Sequence, residues 1–155
     1  NYDIPALLNK NNINTDIAVM IFRVKRDIEN VHHMIGVIEQ HLKDKGIINV
    51  LSPASRIFHY SKGPFEELLD SSGFLYNKEN ENIPLDQVTF GNFLISNGIT
   101  IEQIWGTLYH PIMYFRESEH KFVENDIYTY TKDLSYEDAL DKFRRAYLQR
   151  VIQSN

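Results

Sequence analysis

Large apolar side chains recur every three or four residues near the end of the chain, and this spacing constrains the fold more than any other feature. The series consists of Tyr136, Leu140, Phe143, Tyr147 and Val151. Residues three and four apart lie on one face of an α-helix, so the series predicts an amphipathic helix from Ser135 to Ile152. Ser135 is a suitable N-cap, and arginines gather toward the negative end of the helix dipole. The apolar stripe of this helix needs a protein partner.

Two partners are compatible with the stripe. The helix can dock on the core of its own domain, or it can pair with the same helix of a second molecule. We expect a homodimer in which the five residues of the stripe carry the association. Residues 133–155 would then be a segment for association or linkage, and residues 1–132 would form a sensory or regulatory domain.

The same segment carries the residues Phe143, Arg145, Tyr147-Leu148, Val151-Ile152 and Asn155. Over about the last 23 residues this pattern resembles the helix that leads into the helix-turn-helix of Fis-type bacterial regulators, including NtrC-like activators. The resemblance implies a cytoplasmic, non-enzymatic regulatory or ligand-sensing domain of a bacterial transcription regulator. It also implies that DNA is contacted only through a segment outside this chain. An ATP-driven activator is excluded, because no Gly-x-x-x-x-Gly-Lys phosphate loop is present.

The amino-acid composition excludes several further classes of protein and of functional site. An apolar fraction of 43% with 12% aromatic residues is typical of a globular protein rather than a disordered one. The formal charge of −5 argues against a general phosphate-binding surface, and the absence of cysteine removes disulfides, thiolate nucleophiles and cysteine-based zinc sites. No apolar run approaches the roughly 20 residues of a membrane helix, so we expect no membrane partner.

The order of local patterns predicts a single α+β domain with a small sheet and packed helices. Helical spacing or caps indicate helices over 28–45, 64–70, 85–94 and 100–110, besides the terminal one. Thr100 can cap the helix over 100–110, with Gln103 at the capping-box position. Short apolar or β-branched runs predict strands over 17–22, 47–51, 56–60, 112–115 and 127–130. The first of these strands should be buried on both faces, and the early order is βαβ-like.

One cluster could bind a small ligand. Arg56, His59, Tyr60 and Lys62 precede Gly63-Pro64, which places a cation and an acid–base ring near a helix N-terminus. The alternative function is therefore a small enzyme or ligand-binding protein that uses these four residues. No nucleophile motif accompanies them, so we do not assign catalytic residues.

Two further patterns have simpler interpretations. His32-His33 could share a metal with Glu29, but the two rings point in different directions on a helical wheel, and we expect neither a metal nor a cofactor. Residues 93–109 resemble a DNA-binding helix-turn-helix, with Gly98 at the turn. This segment has no Lys or Arg for phosphate contacts, so an ordinary helical hairpin is favoured over direct DNA binding.

Overall fold

The structure, a computed structural model, describes residues 19–22, 28–47 and 59–153, with side chains of the last helix described as far as Ala146. The helices are α1 (Ile28–Asp44), α2 (Pro64–Phe74), α3 (Thr89–Ser96), α4 (Ile101–Tyr109), α5 (Ile127–Tyr130) and α6 (Tyr136–Gln153), with a 3-10 turn at Leu85–Gln87. The strands are β1 (Ile112–Ser118) and β2 (Lys121–Asp126). The predicted α+β class with a small sheet is confirmed. The chain divides into two compact units, Asn1–Tyr60 and Ser61–Asn155.

The first unit contains α1. Its predicted stripe is real, since Val31, Ile35, Ile38 and Leu42 are all half-buried while the intervening positions are mostly exposed. Gly46 has φ +68 and follows the helix end, where glycine adopts the left-handed region without a Cβ penalty.

The strand predicted over 17–22 is wrong where the structure describes it. Residues 19–22 have no regular secondary structure and are exposed, Ile21 by 76%. A run of β-formers makes a strand only when another strand pairs with it. The strand predictions at 48–51 and 56–58 lie outside the described residues, and the described part of the sheet is a single antiparallel pair rather than a βαβ unit.

The core of the second unit is built on aromatic rings from three helices. The ring of Phe65 in α2 lies 5.1 Å from that of Phe90 in α3 and 5.3 Å from that of Phe143 in α6. Gly91 lets α3 approach the 3-10 turn, because a Cβ there would lie 1.8 Å from the carbonyl oxygen of Leu85. The helices of this unit are thus held by packing that leaves little room for larger side chains.

Helix α6 corrects the interpretation of the terminal stripe. Leu140 and Phe143, expected at a dimer interface, are 4% and 1% exposed because they fill the core of their own unit. Tyr136 is half-buried, and the side chains of Tyr147 and Val151 lie outside the described residues. The boundary predicted between residues 132 and 133 is therefore not a boundary between compact units. Burial favours intramolecular docking for the first half of the helix.

The hairpin of β1 and β2 corrects a second prediction. The strand expected over 127–130 is instead the one-turn helix α5, because the Asp126 carboxylate caps it by accepting the Thr129 N–H at 2.8 Å. The second strand lies earlier, at Lys121–Asp126, and pairs antiparallel with β1 from Ile112↔Asp126 to Ser118↔Lys121. His120 lies in the turn between the strands.

In the part of the chain that the structure describes, no helix has the length and apolar character needed to cross a lipid bilayer.

Candidate functional site

Of the four residues predicted to bind a ligand, the structure describes His59, Tyr60 and Lys62. Arg56 lies outside the described residues. His59 and Tyr60 are half-buried and end the first unit, whereas Lys62 is exposed and belongs to the second. The backbone N–H of Lys62 donates to Glu66 Oε2 at 2.8 Å. A carboxylate of the chain itself therefore stands at the start of α2, where the sequence predicted an anionic ligand.

The first turn of α2 is acidic, which makes it a poor site for an anion. Glu66 and Glu67 both lie in this turn, where negative charge is stabilised by the helix dipole. A bound phosphate or carboxylate would have to overcome repulsion from both groups.

The histidines considered as metal ligands are spread over the structure. His32 and His33 are exposed on α1, and His110 is the exposed C-cap of α4.

The segment that resembles a helix-turn-helix is two short helices, α3 and α4, joined by a turn in which Gly98 has φ +85. The predicted capping box is present: Thr100 Oγ1 accepts the Gln103 N–H and the Gln103 side chain accepts the Thr100 N–H. Arg144 Nη2 of α6 donates to the Asn97 carbonyl at 2.6 Å, which fixes the turn to the terminal helix. Neither α3 nor α4 carries a basic residue that could contact phosphate.

The hairpin presents the most exposed apolar face among the described residues of the second unit. Ile112, Tyr114 and Phe122 are 55%, 46% and 49% exposed. They share one face, because Ile112 and Tyr114 alternate with buried Met113 and Phe115, and Phe122 pairs with Arg116 across the strands. We call these three residues the hairpin face. The opposite face packs against the core of the unit.

Charged side chains surround the hairpin face. Glu124 is hydrogen-bonded to Tyr114, and this bond and the negative charge raise the pKa of the Tyr114 phenol. Arg116 donates to the carbonyls of Ser118 and Glu119, both at 3.2 Å, which orders the hairpin turn. Each apolar residue of the hairpin face pairs with a charged residue across the strands, so the face combines apolar and charged side chains.

Three polar side chains elsewhere in the second unit, those of Tyr128, Thr131 and Thr107, hydrogen-bond to the backbone. Tyr128 donates to the Leu108 carbonyl at 2.9 Å, and burial, with help from Asp126 and other nearby carboxylates, raises its pKa to about 12. Thr131 and Thr107 each donate to a backbone carbonyl four residues earlier. These groups hold elements together and are not aimed at a reacting molecule.

Sequence reasoning did not find the hairpin face, because the second strand was predicted six residues too late. With β2 placed at 127–130, Phe122 fell in a connector and had no cross-strand neighbour. The sequence Lys121 to Asp126 does not alternate between apolar and polar residues, so it carries no period-two signal for a strand.

The chain matches no family model, and comparisons with curated proteins and with solved structures found no match.

Proposed function

We propose that this chain is a non-enzymatic regulatory module that acts by association with a second copy of itself through the hairpin face. The observation that carries the proposal is the exposure of Ile112, Tyr114 and Phe122 together on one face of a hairpin. Apolar side chains grouped in this way and rimmed by charge mark interaction surfaces more often than isolated exposed residues do.

The distribution of charge on this face supports a two-fold partner. The basic Arg116 lies at the turn end of the face and Asp126 lies at the other end, opposite Ile112. An interface between two copies related by a two-fold axis is self-complementary. Antiparallel stacking of two hairpins would bring the Arg116 end of each copy to the Asp126 end of the other, with Tyr114 near the axis.

In such a module, the terminal helix is the element that would transmit the effect of association to another segment. Helix α6 is anchored in the core through Ala139, Leu140, Phe143 and Ala146, and its backbone continues as a helix to Gln153. A rigid helix that leaves a core transmits a change in orientation of that core. Together with the resemblance to Fis-type regulators, this supports a role for α6 as the connection to a DNA-binding segment outside the chain.

Light scattering across a hundredfold range of protein concentration tests the proposal. We expect a dimer mass for the wild type and a monomer mass for Phe122→Asp, because a buried charge opposes pairing of apolar faces. Tyr76→Asp is the matched control, since Tyr76 is a comparably exposed aromatic outside the hairpin, and it should remain dimeric. A wild type that is monomeric throughout, or equal loss of dimer in both variants, would contradict the proposal.

A further inference from the structure

The carboxylate of Glu67 joins three helices of the second unit. It projects from α2 and accepts the phenol O–H of Tyr136, the first residue of α6, at 2.9 Å and 3.2 Å to its two oxygens. It also accepts the backbone N–H of Phe90 in the first turn of α3. The N-cap of α3, Val88, offers no side-chain cap, so Glu67 satisfies an N–H that the helix itself cannot.

The surroundings of Glu67 are aromatic. The ring of Tyr136 lies 4.8 Å from that of Phe90 and 5.7 Å from that of Phe93. Burial in this cluster raises the pKa of Glu67, and that effect outweighs the lowering by the hydrogen bonds from Tyr136 and Phe90. The net result is a carboxyl group that is easier to protonate in the folded chain than in the unfolded one.

Helix α2 carries no cation, and the described cations of α6 have other partners. Lys142 donates to the Tyr130 carbonyl, Arg144 donates to the Asn97 carbonyl, and Arg145 pairs with Asp141. Helix α3 carries no ionisable side chain. The nearest ionisable neighbours along α2 are Glu66 and Asp70, and α6 contributes Tyr136 itself and then Glu137. Among these groups the Tyr136 hydroxyl favours the ionised form of Glu67 through its hydrogen bond, but burial raises the pKa by more.

We propose that Glu67 is a proton-operated latch, which tightens the junction of α2, α3 and α6 when it is protonated and loosens it when it is ionised. A protonated carboxyl keeps its contacts with Tyr136 and Phe90 without the cost of a buried charge. Because the folded chain holds this proton more tightly, the stability of the junction is greatest below the ordinary glutamate pKa and falls as pH rises through the raised one. The latch does not depend on the proposed association.

Hydrogen exchange of the Phe90 amide, corrected for its intrinsic pH dependence, measures opening of the junction directly. Between pH 4 and 8 we expect the wild-type protection factor to fall with rising pH, by up to about tenfold per unit inside the titration window. Glu67→Gln should abolish this fall, because an amide does not titrate. Tyr136→Phe should move the fall to higher pH, because it removes a hydrogen bond that favours the ionised form.

Glu102→Gln is the control, since Glu102 is exposed on α4 and should leave the wild-type profile unchanged. Identical pH profiles for the wild type and Glu67→Gln would overturn the latch, as would protection that rises with pH. If Glu67→Gln does not fold, the carbon-13 titration of the Glu67 carboxyl in the wild type tests whether its pKa is raised. A midpoint above the ordinary glutamate pKa is expected, and a midpoint at or below that value would overturn the latch.

Discussion

Helices α1 and α6 were predicted from the same evidence and differ in what covers them. Each is a long amphipathic helix, of 17 and 18 residues, with apolar side chains three and four apart. The stripe of α1 is half-buried, whereas Ala139, Leu140, Phe143 and Ala146 of α6 are at most 4% exposed. Periodicity identifies a helix and its apolar face, but the depth of burial depends on residues far away in sequence.

The partners of α6 explain its deeper burial. Phe143 packs against the ring of Phe65 in α2, and Lys142 lies 3.9 Å above the ring of Tyr130 while donating to its carbonyl at 3.3 Å. Cation–π and aromatic contacts of this kind add to the area buried. Tyr136 and Arg144 add hydrogen bonds to α2 and to the turn before α4. Helix α6 is therefore part of a core and not an attachment to one.

The largest expected effect follows from this contrast. Phe143→Ala should lower the free energy of unfolding of the second unit by about 3–5 kcal/mol, because it leaves a cavity in a packed core. Ile35→Ala at the half-buried stripe of α1 should cost less, about 1 kcal/mol, since the side chain is only partly removed from water. Urea denaturation followed by circular dichroism measures both. Equal losses of unfolding free energy would contradict the difference in burial between the two helices.

Alanine substitutions at two glycines test how tightly the second unit is packed. They should change its stability by smaller amounts and in opposite directions. Gly91→Ala should destabilise it by about 1–3 kcal/mol, because the new methyl group meets the Leu85 carbonyl and forces α3 away from the 3-10 turn. Gly106→Ala lies in an exposed part of α4 with no atom within 4 Å, so it should stabilise by about 0.5–1 kcal/mol through helix propensity. Thermal melting of both variants gives the comparison. Destabilisation at both positions would contradict the open space around Gly106.

Local signals in the sequence were sufficient for most helices of the second unit. The capping box of Thr100 and Gln103 and the turn at Gly98 were predicted because their partners lie within a few residues. The strand at 127–130 was wrong because the β-propensity of Ile127, Tyr128 and Tyr130 was overridden by the cap from Asp126. A side-chain cap can decide between helix and strand where propensities differ by only a few tenths of a kcal/mol.

The functional features were harder to predict because they join distant residues. Glu67 and Tyr136 are 69 residues apart, and no local pattern indicates that their side chains meet. The sequence shows a glutamate at position 67, but the burial of its carboxylate depends on how three helices pack. The hairpin face required the correct register of both strands, and register follows from turn geometry as much as from composition.

Protein-concentration dependence of unfolding tests most directly whether the stripe of α6 belongs to its own core. Phe122→Asp and the double variant Phe122→Asp, Phe143→Ala should be unfolded in urea at two concentrations a hundredfold apart, because the first substitution removes the proposed association. If Phe143 is a core residue, the second substitution lowers stability by about 3–5 kcal/mol at both concentrations. A loss that changes with concentration, or a negligible loss at both, would place Phe143 at an interface and contradict the structure of this unit.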